Sequence, residues 1–222
     1  MAVVLVVLLW AFHAVCTYLW LSTNQFAVGW DRPKHLVTTL IFNGILQHVD
    51  VQSLFQVFSL NLGYYPPLFP LSVVPLYRLF GVSAVVAGMV NAIYMLILLL
   101  SLYGIGRRLY DTRVGLLAAF LGSMSPFLFS MAHYTYIDYA LTAMITLAVY
   151  LLLRCDSFRS TVFSVLFGAV LGLGMLYKWT PALLVSGPLL LVVVRMVKTD
   201  LVGAQRRPLR VGIPWLPLAV GI

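Results

Sequence analysis

Long apolar runs alternate with short polar breaks along the whole chain. Stretches over residues 2–21, 82–105, 114–132, 137–153, 161–177 and 181–197 are almost free of charge. The longer ones match the roughly 20 residues an α-helix needs to cross a bilayer. The shorter ones can borrow flanking residues or sit beside thinned bilayer. A last apolar stretch, 211–222, is too short to cross, which suggests the truncated start of a further span and an N-terminal part of a longer protein. The pattern predicts an all-α membrane protein: one polytopic helical bundle over residues 1–222.

The first run has no basic residues before it and continues through Tyr18, Leu19 and Trp20, so it reads as a retained span rather than a cleaved leader. Residues 22–81 follow a different pattern. From Pro33 onward, Leu36, Val37, Leu40, Ile41 and Ile45 share one helical face, and Lys34, His35, Thr38, Thr39 and Gln47 occupy the others. This predicts an amphipathic helix lying on the membrane surface, with Pro33 tolerated in its first turn. A second short helix is expected around 51–60, followed by a break at Gly63-Tyr64-Tyr65-Pro66-Pro67. Residues 67–80 are apolar but carry Pro67, Pro70, Pro75 and Arg78, which suits a re-entrant or interfacial element.

Charge orients these elements. The chain is 62% hydrophobic and only 9% charged, with a net charge of +8. Its basic residues lie in short breaks between apolar runs, which argues for an orientation signal and against nucleic acid as a partner. With 67–80 not spanning, ten basic residues (Arg107, Arg108, Arg113, Arg154, Arg159, Arg195, Lys198, Arg206, Arg207 and Arg210) share one side, and Arg32, Lys34, Arg78 and Lys178 share the other. The positive-inside rule makes the first side cytoplasmic. The N-terminus is then cytoplasmic and the loop 22–81 extracytoplasmic. Cys16 and Cys155 show neither pairing nor metal-ligand spacing.

The chain contains no glutamate, and its carboxylates are Asp31, Asp50, Asp111, Asp138, Asp156 and Asp200. Asp111, Asp156 and Asp200 fall beside arginines on the cytoplasmic side, where solvated ion pairs contribute little. A general base on the outer side must come from Asp31, Asp50, Asp138, His35, His48 or His133. The densest cluster is Asp31-Arg32-Pro33-Lys34-His35. Arg32 and Lys34 are suited to an anionic group, and His35 lies one helical turn after Asp31. The alternative for Asp31 is a helix-start carboxylate favoured by the dipole.

Asp138 opens the fourth run and is either a site residue or a helix N-cap; Asp50 is expected to cap or be solvated. Lys178 either snorkels at a helix end or meets a lipid phosphate as a point charge. His13 and Asn91 lie within spans and suit packing and interhelical bonding. Trp20, Trp30, Tyr64, Tyr65 and Trp179 form an expected interfacial belt, with sugar stacking open to one or two of them. Gly168, Gly172 and Gly174 lack the strand and the Gly-Lys-Ser/Thr of a phosphate loop and are expected to serve close helix packing. The sequence calls for no cofactor; no ligand spacing defines a metal site, although a divalent metal stays open.

Order and spacing then carry a resemblance over essentially the whole chain. An outer Asp31 after the first span is followed by Tyr64-Tyr65-Pro66-Pro67, Gly104-Ile105-Gly106-Arg107-Arg108, Gly115-Leu116-Leu117-Ala118-Ala119 with Ser125-Pro126, Tyr136-Ile137-Asp138-Tyr139 and Gly174-Met175-Leu176-Tyr177-Lys178-Trp179. This resembles the N-terminal half of bacterial GT-C glycosyltransferases of the protein O-mannosyltransferase and aminoarabinose-transferase type. The resemblance implies transfer of a sugar from a polyprenyl-phosphate carrier to a lipid, glycan or protein acceptor on the outer face of the inner (plasma) membrane. It implies Asp31 as the catalytic carboxylate, Asp138 as a second active-site carboxylate and Lys178 as a binding residue. Arg32 stands where many members have a glutamate.

The expected chemistry is an inverting transfer with Asp31 as general base and Asp138 as the second catalytic candidate. Lys178, Arg32, Lys34, His35 and Tyr65 are the candidate substrate-binding residues. A transporter or lipid flippase, which would show polar breaks near the midplane, and a non-catalytic membrane partner are the alternatives.

Overall fold

A computed structural model of the chain describes residues 1–24, 31–59 and 65–205, with side chains as far as residue 198. In chain order the helices are α1 (Ala2–Thr23), α2 (Asp31–Ile45), α3 (Val51–Ser59), α4 (Leu68–Phe80), α5 (Ala84–Leu109), α6 (Thr112–Met124), α7 (Pro126–Ala132), α8 (Ile137–Arg154), α9 (Thr161–Met175) and α10 (Pro181–Gln205). No strand occurs among the described residues, so the architecture is the all-α membrane bundle that the apolar runs predict. Helices α1, α5, α8 and the Pro181–Lys198 part of α10 are long and apolar enough to cross a bilayer.

Where an unbroken span was expected over 114–132, the structure has α6 and α7 bent by 64°. The cause is local. Pro126 lacks the N–H that would continue the helix, and its ring drives the preceding residue out of the α region. Ser125 accordingly sits at φ −57°, ψ 121°. Helix α4 forms despite its internal Pro75, but its 13 residues rise only about 20 Å, short of the roughly 30 Å hydrocarbon core.

The bundle is organised around α5, which contacts α1, α4, α6 and α8. Val90, Leu98 and Leu99 of α5 are buried with Phe69 and Val73 of α4 and Tyr139, Ala140 and Ala143 of α8. Ser83 caps α5 by accepting from the Val86 N–H at 3.1 Å, and Asp111 caps α6 through the Val114 N–H at 2.8 Å. Backbone meets backbone between these two helices. A Cβ on Gly106 would lie 2.7 Å from the Gly115 Cα, and one on Gly115 would lie 2.6 Å from the Tyr103 carbonyl oxygen. The close packing expected of Gly168 and Gly172 therefore occurs elsewhere. Among the described residues a Cβ at either position meets nothing within 4 Å, and Gly174 makes only ordinary contact with Pro181 at 3.5 Å.

Helix α1 docks through Val6, His13, Thr17 and Leu21, spaced along one stripe. Trp10 donates its indole N–H to the Ala92 carbonyl at 2.6 Å.

Helix α2 packs with its polar side inward. Arg32, His35, Thr39 and Phe42 are buried, as is Leu46 just beyond its end, and Val37, Leu40 and Ile41 are exposed. Thr39 donates to the Leu36 carbonyl at 2.7 Å, so its single proton is committed and the Tyr77 hydroxyl, 2.9 Å away, donates to it. Arg78 of α4 donates to the Leu46 carbonyl at 2.6 Å, placing a cation beyond the C-terminal end of α2, where the helix dipole favours one. Asp50 and Ser53 form a reciprocal cap on α3: Asp50 Oδ1 accepts from the Ser53 N–H at 2.6 Å and Ser53 Oγ accepts from the Asp50 N–H at 3.0 Å.

Candidate active site

Four chain segments converge at one end of the bundle: the start of α2, the residues leading into α4, the corner between α7 and α8, and the turn between α9 and α10. Backbone and polar bonds fix the last three of them. The Leu68 N–H donates to the Leu176 carbonyl at 3.0 Å, tying the head of α4 to the end of α9. The hydroxyls of Tyr94 and Tyr177 are 2.6 Å apart, anchoring the residue before Lys178 to α5. Asn91, buried in α5, donates to the carbonyls of Ala132 (3.1 Å) and Tyr134 (2.6 Å), which holds the corner that leads into Asp138.

At the centre, Lys178 Nζ lies 2.7 Å from Asp138 Oδ1 and 5.3 Å from the centre of the Tyr65 ring. Burial pulls the Lys178 pKa down. The hydrogen bond and charge of Asp138, with contributions from Tyr65 and Asp31, outweigh it and leave the ammonium above its ordinary value. Lys178 is therefore a cation at neutral pH.

His35 packs against Tyr65 (5.8 Å between ring centres) and Phe69 (5.9 Å). Burial holds its imidazole below the usual value. The positive charges of Lys34 and Lys178 act in the same direction, against Asp31 and Asp138. The fields of Asp31, Asp138 and Lys178 thus all reach His35, and Asp31 also acts on Lys178. Asp31 itself is partly exposed in the first turn of α2.

Arg32 is turned inward. It is 1% exposed, its guanidinium lies 5.6 Å from the centre of the Tyr134 ring, and burial lowers its pKa while Tyr134 and Tyr136 oppose that shift. It braces α2 against the α7–α8 corner and is not open to a ligand here, whereas Lys34 is exposed.

The six outer candidates are thus sorted. Asp138 pairs with Lys178, His35 packs on the Tyr65 ring that Lys178 also approaches, and the charge of Asp31 acts on both Lys178 and His35. Asp50 caps α3, and His48 is exposed beside it. His133 is buried with Nδ1 2.6 Å from the Phe129 carbonyl and its ring against Trp20 and Phe129. Trp20 stacks edgewise on His133 and Tyr134, and Trp179 is exposed. Trp30 and Tyr64 lie outside the described residues. No group of three or more His, Cys or Asp side chains among the described residues is placed to hold a metal ion. Sequence reasoning missed Tyr134, Phe69 and the Tyr94–Tyr177 pair. Their only signal was an aromatic residue next to a site candidate or inside an apolar run.

The sequence model of the dolichyl-phosphate-mannose-protein mannosyltransferase family matches residues 65–221. The chain belongs to this family. It is an integral membrane glycosyltransferase of the mannosyltransferase type, with the GT-C class of helical bundle. The family match contains Tyr65, Asp138 and Lys178, and it begins after Asp31, Arg32, Lys34 and His35. Neither the curated proteins nor the solved structures contain a match.

Proposed function

We propose that this mannosyltransferase-family protein takes a sugar from a polyprenyl-phosphate carrier and passes it, with inversion, to an acceptor hydroxyl at the extracytoplasmic surface of the membrane. The observation that carries the reading is the Asp138–Lys178 pair with Asp31 and His35 around it. The pair sets a carboxylate against a cation at one end of the bundle, with the charge of Asp31 acting on Lys178 and His35, in a member of a family that works on a lipid-phosphate-linked sugar.

In the reaction the acceptor oxygen attacks the anomeric carbon from the face opposite the phosphate. The bond from that carbon to the phosphate oxygen breaks, and the phosphate keeps the electron pair. Asp31 takes the hydroxyl proton. Asp138 holds Lys178 in place, and the ammonium meets the negative charge that grows on the leaving phosphate, with exposed Lys34, one turn after Asp31, as a second cation. Tyr65 offers a ring face for the sugar. An apolar cavity of about 590 Å³ between α1, α4 and α5, lined by Tyr18, Leu76, Phe80 and Met89, suits the isoprenoid chain of the carrier. The proposed side follows from charge: α8 carries Asp138 in its first turn and ends at Arg154, among the ten basic residues that the positive-inside rule puts in the cytoplasm.

The test is transfer by the full-length protein in proteoliposomes, supplied with polyprenyl-phosphate-linked mannose or with a nucleotide-linked mannose. The expected result is product of inverted anomeric configuration from the lipid-linked donor alone. Turnover of the nucleotide sugar, or retention of configuration, would falsify the reading.

A further inference from the structure

At the far end of α8 from Asp138 the structure holds a second polar-apolar cavity, of about 670 Å³. The 18 residues of α8 put about 27 Å between the two ends, close to the thickness of a hydrocarbon core, so the cavity opens on the opposite side of the membrane from the proposed transfer site. Its polar wall consists of Arg107, Arg108 and Arg154 with Tyr103, Tyr150 and Ser101, and its apolar wall includes Val3, Ile97, Leu100 and Leu147.

Two features distinguish this cavity from a row of solvated arginines. No carboxylate lies within ion-pair distance of any of the three among the described residues. Each of two helices also repeats the same spacing: Arg107 donates to the Tyr103 hydroxyl at 3.5 Å on α5, and Arg154 donates to the Tyr150 hydroxyl at 3.4 Å on α8. Each phenol oxygen accepts from its arginine, which leaves its own proton free to donate. Arg154 is further fixed over the Phe163 ring at 4.4 Å. The result is a concave site lined by guanidinium and phenol donors next to an apolar wall, at the end of α8 far from Asp138.

We propose that this cavity binds an anionic phospholipid of the leaflet opposite the transfer site, with its phosphate among Arg107, Arg108 and Arg154 and an acyl chain against Leu100 and Leu147. Forked guanidinium groups match phosphate oxygens geometrically, and basic pockets between membrane helices are suited to acidic headgroups. The lipid would brace α1, α5 and α8 against one another. The site does not depend on the transfer mechanism.

The test uses the full-length protein in nanodiscs of phosphatidylcholine with or without phosphatidylglycerol, read by thermal melting and by native mass spectrometry of retained lipid. Phosphatidylglycerol should raise the melting temperature, and retention should fall about fivefold for each arginine changed to glutamine at 107, 108 or 154. Arg107 and Arg108 are both exposed, so Arg108→Gln, which removes no bond to a tyrosine, tests the site with the least disturbance of the fold. Arg113→Gln/Arg159→Gln, which removes two arginines outside the cavity wall, should leave retention unchanged. Equal loss in that control would reduce the effect to general interfacial charge and overturn the proposal. So would protection by inorganic phosphate equal to that by the lipid, or wild-type retention in Arg108→Gln and the triple variant.

Discussion

Lys178 and Asp138, forty residues apart in the chain, meet at 2.7 Å with side chains 25% and 47% exposed. The pair is neither a buried ion pair nor a freely solvated one, so each partner is fixed by the other and still open to a ligand. Asp138→Asn and Lys178→Gln are each expected to lower sugar transfer by about 10²–10³, the usual cost of removing a fixed electrostatic donor. The double variant should be little worse than the worse single one, because the two act as a unit. Initial rates in proteoliposomes measure this, and strictly additive losses would show that the residues act separately.

Asp31→Asn should reduce transfer by about 10²–10⁴, the range for a lost general base, with membrane insertion and melting unchanged. Near-normal rates in that variant would move the base to Asp138.

His35 gives a pH prediction. Burial holds its folded-state pKa below the ordinary 6.5, so the unfolded chain binds the proton more readily. Stability then rises with pH between the folded and unfolded values and is lost as pH falls below about 6.5. Melting temperature measured from pH 7.5 down to 5.5 should drop in the wild type. His35→Phe should flatten that drop, and a parallel drop in the variant would assign the sensitivity to another group.

The docking of α2 rests in part on the Tyr77–Thr39 hydrogen bond. Tyr77→Phe leaves the Thr39 oxygen with one partner fewer in a buried site and should cost about 1 kcal/mol. Chemical denaturation in mild detergent reads the effect.

Glycines in this chain should respond with opposite sign. Gly106→Ala or Gly115→Ala forces apart two backbones already in contact and should cost at least about 1–3 kcal/mol. Gly168→Ala adds a methyl group to open space within α9 and should stabilise by about 0.5–1 kcal/mol through helix propensity. Thermal melting of the three variants separates the cases.

The all-α bundle, the turns and the main site candidates were legible because charge is scarce here. Against a background of apolar residues, Asp31, His35, Asp138 and Lys178 stand out individually. Their meeting was not legible, because it depends on how α2, α4, α8 and the α9–α10 turn pack. Asn91 was readable as a polar residue that bonds between elements, but not as the residue that holds the corner ahead of Asp138. The break at Pro126 is masked in the sequence because hydropathy continues through it. The glycines of α9 misled because small residues mark potential contacts, and only the fold decides which potential contacts are made.

The outward apolar stripe of α2 has a consequence for handling the protein. Val37, Leu40 and Ile41 face away from the bundle while Arg32 and His35 face into it, so in an integral membrane protein lipid forms the other half of this helix's binding surface. We expect lipid on this stripe to support the placement of Asp31 at the head of the helix. Detergents that strip the lipid annulus should silence the enzyme while its helices are still folded, and adding lipid back should restore turnover without any refolding step.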